Sequence, residues 1–346
     1  MLTNPINATI AEIARKAGVG TATVDRVING RAGVNPDTAI KVMKIIGNLG
    51  KTPLRGRPRL SENFRFAFVL PASDTPFLNM VDRQIALSAP DFRHQHITEV
   101  SYRFDAADAT EFANALSQLT NFQGVAVLAP DLPPVKQAIN KLVAAGVSVV
   151  TLFSDVAGSM RAGYMGADNR AAGRTAGLLL GRMAGNAKKN TLLLSSQATR
   201  LTGEIDRRIG FAQVIQERFP HLRVVRTPDL PESDGAVQAA MQSFLKSDVD
   251  PATLSGIYNV GAGTAGLVDA VQAAGLTDQL GVISHDFTDA HSSLLSAGRL
   301  SYVLNQDIHY SILSSARVMR ALCENVRGAL NVVQPRLEIL TAENLH

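Results

Sequence analysis

Seven short stretches of this 346-residue chain carry side chains suited to gripping a small polar molecule. They are Ser73-Asp74-Thr75-Pro76-Phe77, Ser154-Asp155, Gly166-Ala167-Asp168-Asn169, Thr202-Gly203-Glu204 with Arg207, Asn259, His285-Asp286-Phe287 and Asn305-Gln306-Asp307. Carboxylates, amides and a guanidinium can make paired hydrogen bonds to adjacent hydroxyls, and an aromatic face covers sugar C–H bonds. The mixture fits a polyol. Asp168 fits a helix N-cap equally well, and Asn259 fits a strand end.

Each stretch follows an apolar run or lies close behind one. Strands are expected at 65–70, 97–102, 124–128, 147–153, 191–195, 222–226, 255–259 and 280–284. Helices are expected near 77–88, 108–119, 133–145, 169–184, 204–218, 235–246, 263–274 and 308–328. Strand–helix alternation on this scale predicts parallel sheets covered on both faces. Some 280 residues, taken as 65–346, exceed one such sheet, so two doubly wound lobes are expected. The ligand would then lie between them, at the carboxyl ends of the strands.

The first fifty residues read differently. Thr9 and Glu12 fit a capping box, and Ile10, Ile13, Ala14 and Ala17 repeat on one helical face before Gly18. A second helix fits Thr21–Ile28, with Val24, Val27 and Ile28 inward and Asn29-Gly30 as its stop. A third begins with Asn35 as N-cap and Pro36 at the first position, and its expected buried side is Ile40, Met43 and Ile46 or Leu49. Two short helices around a Gly-containing turn, buttressed by a third, make a helix-turn-helix, an all-α head over residues 1–50. In that design Thr21, Ala22 and Arg26 face base edges in the major groove, and Thr9 and Asn29 hold phosphates.

Charge agrees with this division. Residues 1–60 hold ten Lys and Arg against three Asp and Glu, a net of +7, while the remainder is −3. A basic end on a mildly acidic body suits a polyanion, here double-stranded DNA. The stretch 51–64 is basic and rich in Pro and Gly, as in a linker. Arg55, Arg57 and Arg59 could form an arm that enters the minor groove. The single cysteine, Cys323, excludes an intrachain disulfide. No apolar run approaches the roughly 20 residues of a membrane span, and the N-terminus lacks a secretory pattern. A cytoplasmic protein without a membrane partner is expected.

Catalytic chemistry finds little support, and neither a metal nor a cofactor is expected. The seven histidines show no metal-ligand spacing, and neither a G-x-S-x-G elbow nor a P-loop is present. Gly261-Ala-Gly263-Thr-Ala-Gly266 matches a dinucleotide-binding pattern, with Asp286 twenty residues on as the ribose partner. Small residues at a helix start account for it as well. An NAD(P)-binding oxidoreductase explains this cluster alone, and an exported sugar carrier explains only the body.

The head sequence ATIAEIARKAGVGTATVDRVINGRAGVNPDTAIKVMKIIGNLG resembles that of the lactose repressor (LacI/GalR) family, with Gly20 and Asp25 where serines are usual. By this resemblance Thr21 and Ala22 read bases, and Thr23 and Arg26 fall on family positions. The linker departs from the family: Lys51 replaces a tyrosine and the Leu-Ala wedge is missing, while Gly56 and Pro58 disfavour a hinge helix. The body resembles the type I periplasmic-binding-protein fold. The resemblance implies sugar contacts from Thr75, Phe77, Arg207 (in Arg-Arg-Ile-Gly-Phe), Asn259, Asp286 and Gln306, with Asp155 in a third contact loop. It implies a homodimeric, sugar-responsive transcriptional regulator, a repressor in most members.

Overall fold

The computed structural model describes residues 10–28, 33–48, 63–184, 189–198, 200–276, 280–326 and 333–345. Thr9, Asn29, Arg55, Arg57 and Arg59 lie outside the described residues, as does the linker up to Glu62. Contacts divide the chain into two units, Met1–Glu62 and Asn63–His346.

In the first unit, helices α1 (Ile10–Ala17), α2 (Thr21–Ile28) and α3 (Pro36–Asn48) enclose Ile13, Ala14, Ala17, Val24, Val42 and Ile46. Gly18 ends α1 at φ +65°, a left-handed turn that lets the Val19 amide bond the Ala14 carbonyl at 3.1 Å. Asn35 caps α3, its side chain accepting from the Asp37 amide at 2.9 Å. The expected buried side of α3 is corrected. Ile40 and Met43 are 66% and 55% exposed; Ile46 points inward as expected, with Val42 beside it. Thr-Ala-Ile-Lys-Val-Met-Lys-Ile-Ile offers two overlapping apolar stripes, and spacing alone cannot choose their phase.

In the second unit, runs such as Val149-Val150 and Leu192-Leu193-Leu194 are apolar on consecutive residues, as strands buried on both faces require. The order along the chain is β1 (Phe64–Pro71), α4 (Pro76–Leu87), α5 (Ala89–His94), β2 (Ile97–Phe104), α6 (Ala109–Ser117), β3 (Gly124–Val127), α7 (Pro133–Ala144), β4 (Ser148–Leu152) and β5 (Gly163–Met165). It continues with α8 (Asn169–Met183), β6 (Thr191–Ser195), α9 (Thr202–Arg218), β7 (Arg223–Arg226), α10 (Asp234–Ser247), β8 (Leu254–Asn259), α11 (Thr264–Ala273), β9 (Gly281–His285), α12 (Asp289–Ser296), β10 (Tyr302–Gln306), α13 (Ile308–Cys323) and β11 (Leu337–Leu340).

Two sheets result. The first runs β2-β1-β3-β4-β5, all parallel. The second runs β11-β10-β9-β8-β6-β7, parallel except for the β10–β11 pair. Setting β11 aside, the strand order is the same in both, with the switch point beside β1 in one and β6 in the other. In the first lobe, α4, α5 and α13 cover one face through Leu78, Val81, Phe92, Ile312 and Met319, while α6 and α7 cover the other through Phe112, Leu116 and Ile139. In the second lobe, α10, α11 and α12 cover one face through Met241, Leu267 and Leu294, and α8 and α9 the other through Leu180 and Phe211.

Caps set where the helices start. Thr75 caps α4, Asp108 caps α6, Asp168 caps α8 through the Ala171 amide at 2.9 Å, and Asp307 caps α13.

Candidate ligand cleft and nucleic-acid interface

The carboxyl ends of both sheets open into a cavity of about 470 Å³. A parallel sheet opens a crevice at its switch point, because the loops leaving neighbouring strands turn to opposite faces there. The loops after β1, β2, β3 and β4 form one wall, and those after β6, β7, β8, β9 and β10 form the other.

The second-sheet wall centres on three almost fully buried groups: Arg207, Asp286 and Gln306. Arg207 lies in the second turn of α9. Its Nε donates to Asn169 Oδ1 at 2.8 Å, and one terminal nitrogen donates to the Val260 carbonyl at 3.3 Å. The same nitrogen stands 3.9 Å from Asp286 Oδ2. Gln306 Nε2 donates to Asp286 Oδ1 at 2.9 Å. Gln306 Oε1 is buried without a hydrogen-bond partner among the described residues. A buried acceptor left unpaired is costly, so a donor brought by a ligand would be favoured there.

Two histidines frame this cluster. His285 Nε2 shares a hydrogen bond of 2.5 Å with the buried Tyr258 hydroxyl. Burial, then the nearby Arg207 and His291, push the His285 pKa well below its usual value. Burial also lowers that of His291, whose Nδ1 donates to the Asp286 carbonyl at 2.5 Å and so fixes the tautomer. Both rings are neutral at pH 7. Asp286 itself sits at φ +64°, held by its amide on the Leu304 carbonyl and by the Thr288 amide on its own. Backbone held in this region by its surroundings is a frequent mark of binding sites.

The first-sheet wall is more apolar. Phe77 and Phe153 meet edge to face, with centroids 5.4 Å apart. Phe153 is also left-handed, at φ +53°. Its carbonyl accepts from Asn169 Nδ2 at 3.1 Å and from the Tyr164 hydroxyl at 3.2 Å. Burial raises the Tyr164 pKa, which keeps that hydroxyl a donor.

Of the residues expected from sequence, Thr75, Phe77, Arg207, Asp286 and Gln306 line the cavity. Asp155 and Asn259 are not among the lining residues. Asp155 pairs with Arg161 and accepts from the Thr151 hydroxyl and the Val156 amide, both at 2.8 Å. Asn259 accepts from the Ser195 hydroxyl at 3.0 Å and donates to Gly261, Ala262 and Thr264, bracing the turn into α11. Phe153 and His291 stood outside the seven stretches, while Asn169 and His285 lay within them without a contact assigned to either.

The glycine cluster has a packing role. Gly263 adopts φ +75° at the start of α11. A Cβ on Gly266 would overlap the Asp234 carbonyl oxygen, and one on Gly261 would overlap the Gln197 side chain. Asp286, the supposed ribose partner, is engaged with Gln306.

In the head, Thr21, Ala22 and Arg26 of α2 are exposed and Thr23 is half-buried, while Val24 is buried in the core. A helix presenting these side chains outward has the form that enters a major groove.

Among the described residues no group of His, Cys, Asp and Glu could hold a metal ion, and no helix is long and apolar enough to cross a membrane. Residues 66–325 match the family model described as periplasmic binding protein domain, and residues 9–53 match that of bacterial regulatory proteins, lacI family. Catabolite control protein A of Priestia megaterium is 48% identical over 48 residues, 14% of each protein. Among solved structures, a putative LacI transcriptional regulator from Bacteroides fragilis superposes with a TM-score of 0.72 at 16% identity, over 82% of this chain and 98% of that one. A transporter solute-binding protein from Burkholderia graminis, in complex with D-arabinose, gives 0.73 at 16% identity, over 82% and 97%. The glucose-galactose binding protein GanP of Geobacillus stearothermophilus gives 0.70 at 16% identity, over 82% and 99%.

Proposed function

Because this chain belongs to the periplasmic binding protein domain family and carries a lacI-family head at residues 9–53, we propose that it is a sequence-specific repressor whose grip on DNA is set by a sugar or polyol in the cleft. The observation that carries the reading is one polypeptide holding both parts. A lacI-type head precedes a domain in which Arg207, Asp286 and the unpaired Gln306 oxygen converge on a cavity.

A solute carrier has use for the cavity and none for the head. In this reading the protein binds without catalysing and works in the cytoplasm, beside its operator. It acts as a homodimer, each head taking one half of a near-palindrome. Thr21, Ala22 and Arg26 read base edges, and Arg55 and Arg57 follow the phosphates or the minor groove.

The test uses the full chain. Duplexes are selected from a random pool, and the affinity for the enriched sequence is measured with and without each of a panel of monosaccharides and polyols. A change of fivefold or more with one sugar is expected, the usual scale of about 1–3 kcal/mol for linked sites. Equal affinity with every sugar that binds would sink the allosteric reading, and selection of no sequence would sink the repressor.

A further inference from the structure

The two walls of the cleft make different demands on a ligand, and we infer from them that the effector is an uncharged monosaccharide with no hydroxyl at C6, a pentose or a 6-deoxyhexose. The inference rests on the sugar reading above and narrows it.

The first-sheet wall is formed mainly by Phe77, Leu78, Leu128 and Phe153. Its polar side chains are largely spent on the protein itself. Thr75 Oγ1 accepts from the Leu78 amide, and Asp105 Oδ1 from the Ala107 amide at 2.8 Å. Ser154 Oγ accepts from the Gly203 amide at 3.2 Å and lies 3.1 Å from Thr202 Oγ1. Ser73 and Thr75 keep hydroxyl protons to donate and Asp105 keeps its second oxygen, a smaller polar set than the opposite wall's. The opposite wall gathers Arg207, Asp286 and Gln306 within one hydrogen-bonded cluster. A ring carrying hydroxyls all round would surrender water on the phenyl side and receive little in return. A ring with hydroxyls along one edge, and a methyl or bare C–H groups along the other, meets both walls.

Charge narrows the class further. The lining carries five carboxylates, of Asp105, Glu204, Glu232, Asp234 and Asp286, against the two guanidiniums of Arg200 and Arg207. His285 and His291 add no positive charge at pH 7. A cavity with an excess of three carboxylates repels sugar phosphates and sugar acids. Arg207, the buried cation, already faces Asp286.

The experiment is calorimetric titration of the full chain with matched pairs: D-xylose against D-glucose, L-arabinose against D-galactose, L-fucose against L-galactose and L-rhamnose against L-mannose. D-glucose 6-phosphate and D-glucuronate serve as anionic probes. In at least one pair the member without the C6 hydroxyl is expected to bind ten- to a hundredfold more tightly, the range a hydrophobic pocket can impose on an added hydroxyl. The anionic probes are expected to release no heat. In Phe77→Ser the preference within that pair should shrink to below about threefold, because the wall then offers a hydroxyl.

Tighter binding of the hydroxymethyl partner in every responding pair, or binding of either anion, overturns this inference and leaves the sugar reading standing. Silence from every sugar overturns both. A preference unchanged in Phe77→Ser would show that the first-sheet wall does not set it.

Discussion

Strand β4 of the first sheet and strand β9 of the second hold the same rank in their sheets, and each is followed at once by a residue in the left-handed region. After β4 that residue is Phe153, at φ +53°; after β9 it is Asp286, at φ +64°. The backbone does the same thing twice, turning a side chain toward the cleft at the end of a central strand. One lobe uses the turn to present a phenyl ring and the other a carboxylate. The repeated topology creates the place where a ligand can sit, and the single residue at the turn decides what that place recognises. Function in such a fold is therefore sought at the strand ends, one residue at a time.

If the polar wall dominates affinity, its central cation carries the largest effect. Arg207→Met should weaken sugar binding a hundredfold or more in calorimetry, since breaking a buried charge pair costs about 2–5 kcal/mol. Phe77→Ala should cost far less, on the order of fivefold, from about 1 kcal/mol of ring contact. Similar losses in the two variants would abolish the contrast between the walls.

The polar wall also depends on a close helix pair that has no counterpart in the other lobe. A Cβ at Gly173 of α8 would overlap the Arg207 carbonyl, and one at Gly210 of α9 would overlap that of Arg170. Gly173→Ala is expected to cost about 1–3 kcal/mol by overpacking. It should lower the melting temperature by several degrees and weaken the sugar as well, because Arg207 must shift. A lowered melting temperature with unchanged affinity would separate Arg207's placement from the packing beneath it.

Acid should distinguish the walls next. The buried, neutral His285 and His291 have folded-state pKa values below that of the unfolded chain. The unfolded state therefore takes up more protons as pH falls below about 6.5, and stability is lost in that direction, by at most about 1.4 kcal/mol per histidine per pH unit. His291→Gln should flatten the fall of melting temperature between pH 6.5 and 5. An equal slope in the variant would remove His291 from the account. The smallest effect belongs to Arg83 and Asp289, an ion pair at 3.9 Å between α4 and α12 with both side chains mostly exposed. Asp289→Asn should change sugar affinity by less than about twofold.

Much of this architecture could be read from the chain. The principal strands are apolar on successive residues, and helices α1, α2 and α4 announce themselves by periodicity and by Thr75-Pro76 or Gly18 at their ends. The elements that escaped are short: β5 has three residues, β11 has four exposed or half-buried ones, and α5 and α12 barely exceed one and two turns. Patterns need length to show a period. Arg207, Asp286 and Gln306 were legible as polar residues set behind strands. The direction of Asp155 was not, because Arg161 six residues later captures it, and a loop's own ion pair leaves no trace in spacing. Nor could sequence show that His285 is neutral, which follows from a burial known only once β8 and β9 lie side by side.

Helix α13 stands in the chain between β10 and β11, both strands of the second sheet, yet it packs beneath the first, with Ile312 and Met319 against the core of Phe66, Phe68 and Val150. During synthesis the strands of the first sheet emerge long before the helix that covers one of their faces. At translation rates of about 5–20 residues per second, the interval between β5 and the end of α13 lasts roughly ten to thirty seconds. For that time the part of this face that α4 and α5 do not cover waits for Ile312 and Met319, so the nascent first lobe keeps apolar surface open. A ribosome that stalls in the last fifty residues releases a chain whose earliest-made lobe is the one left unfinished.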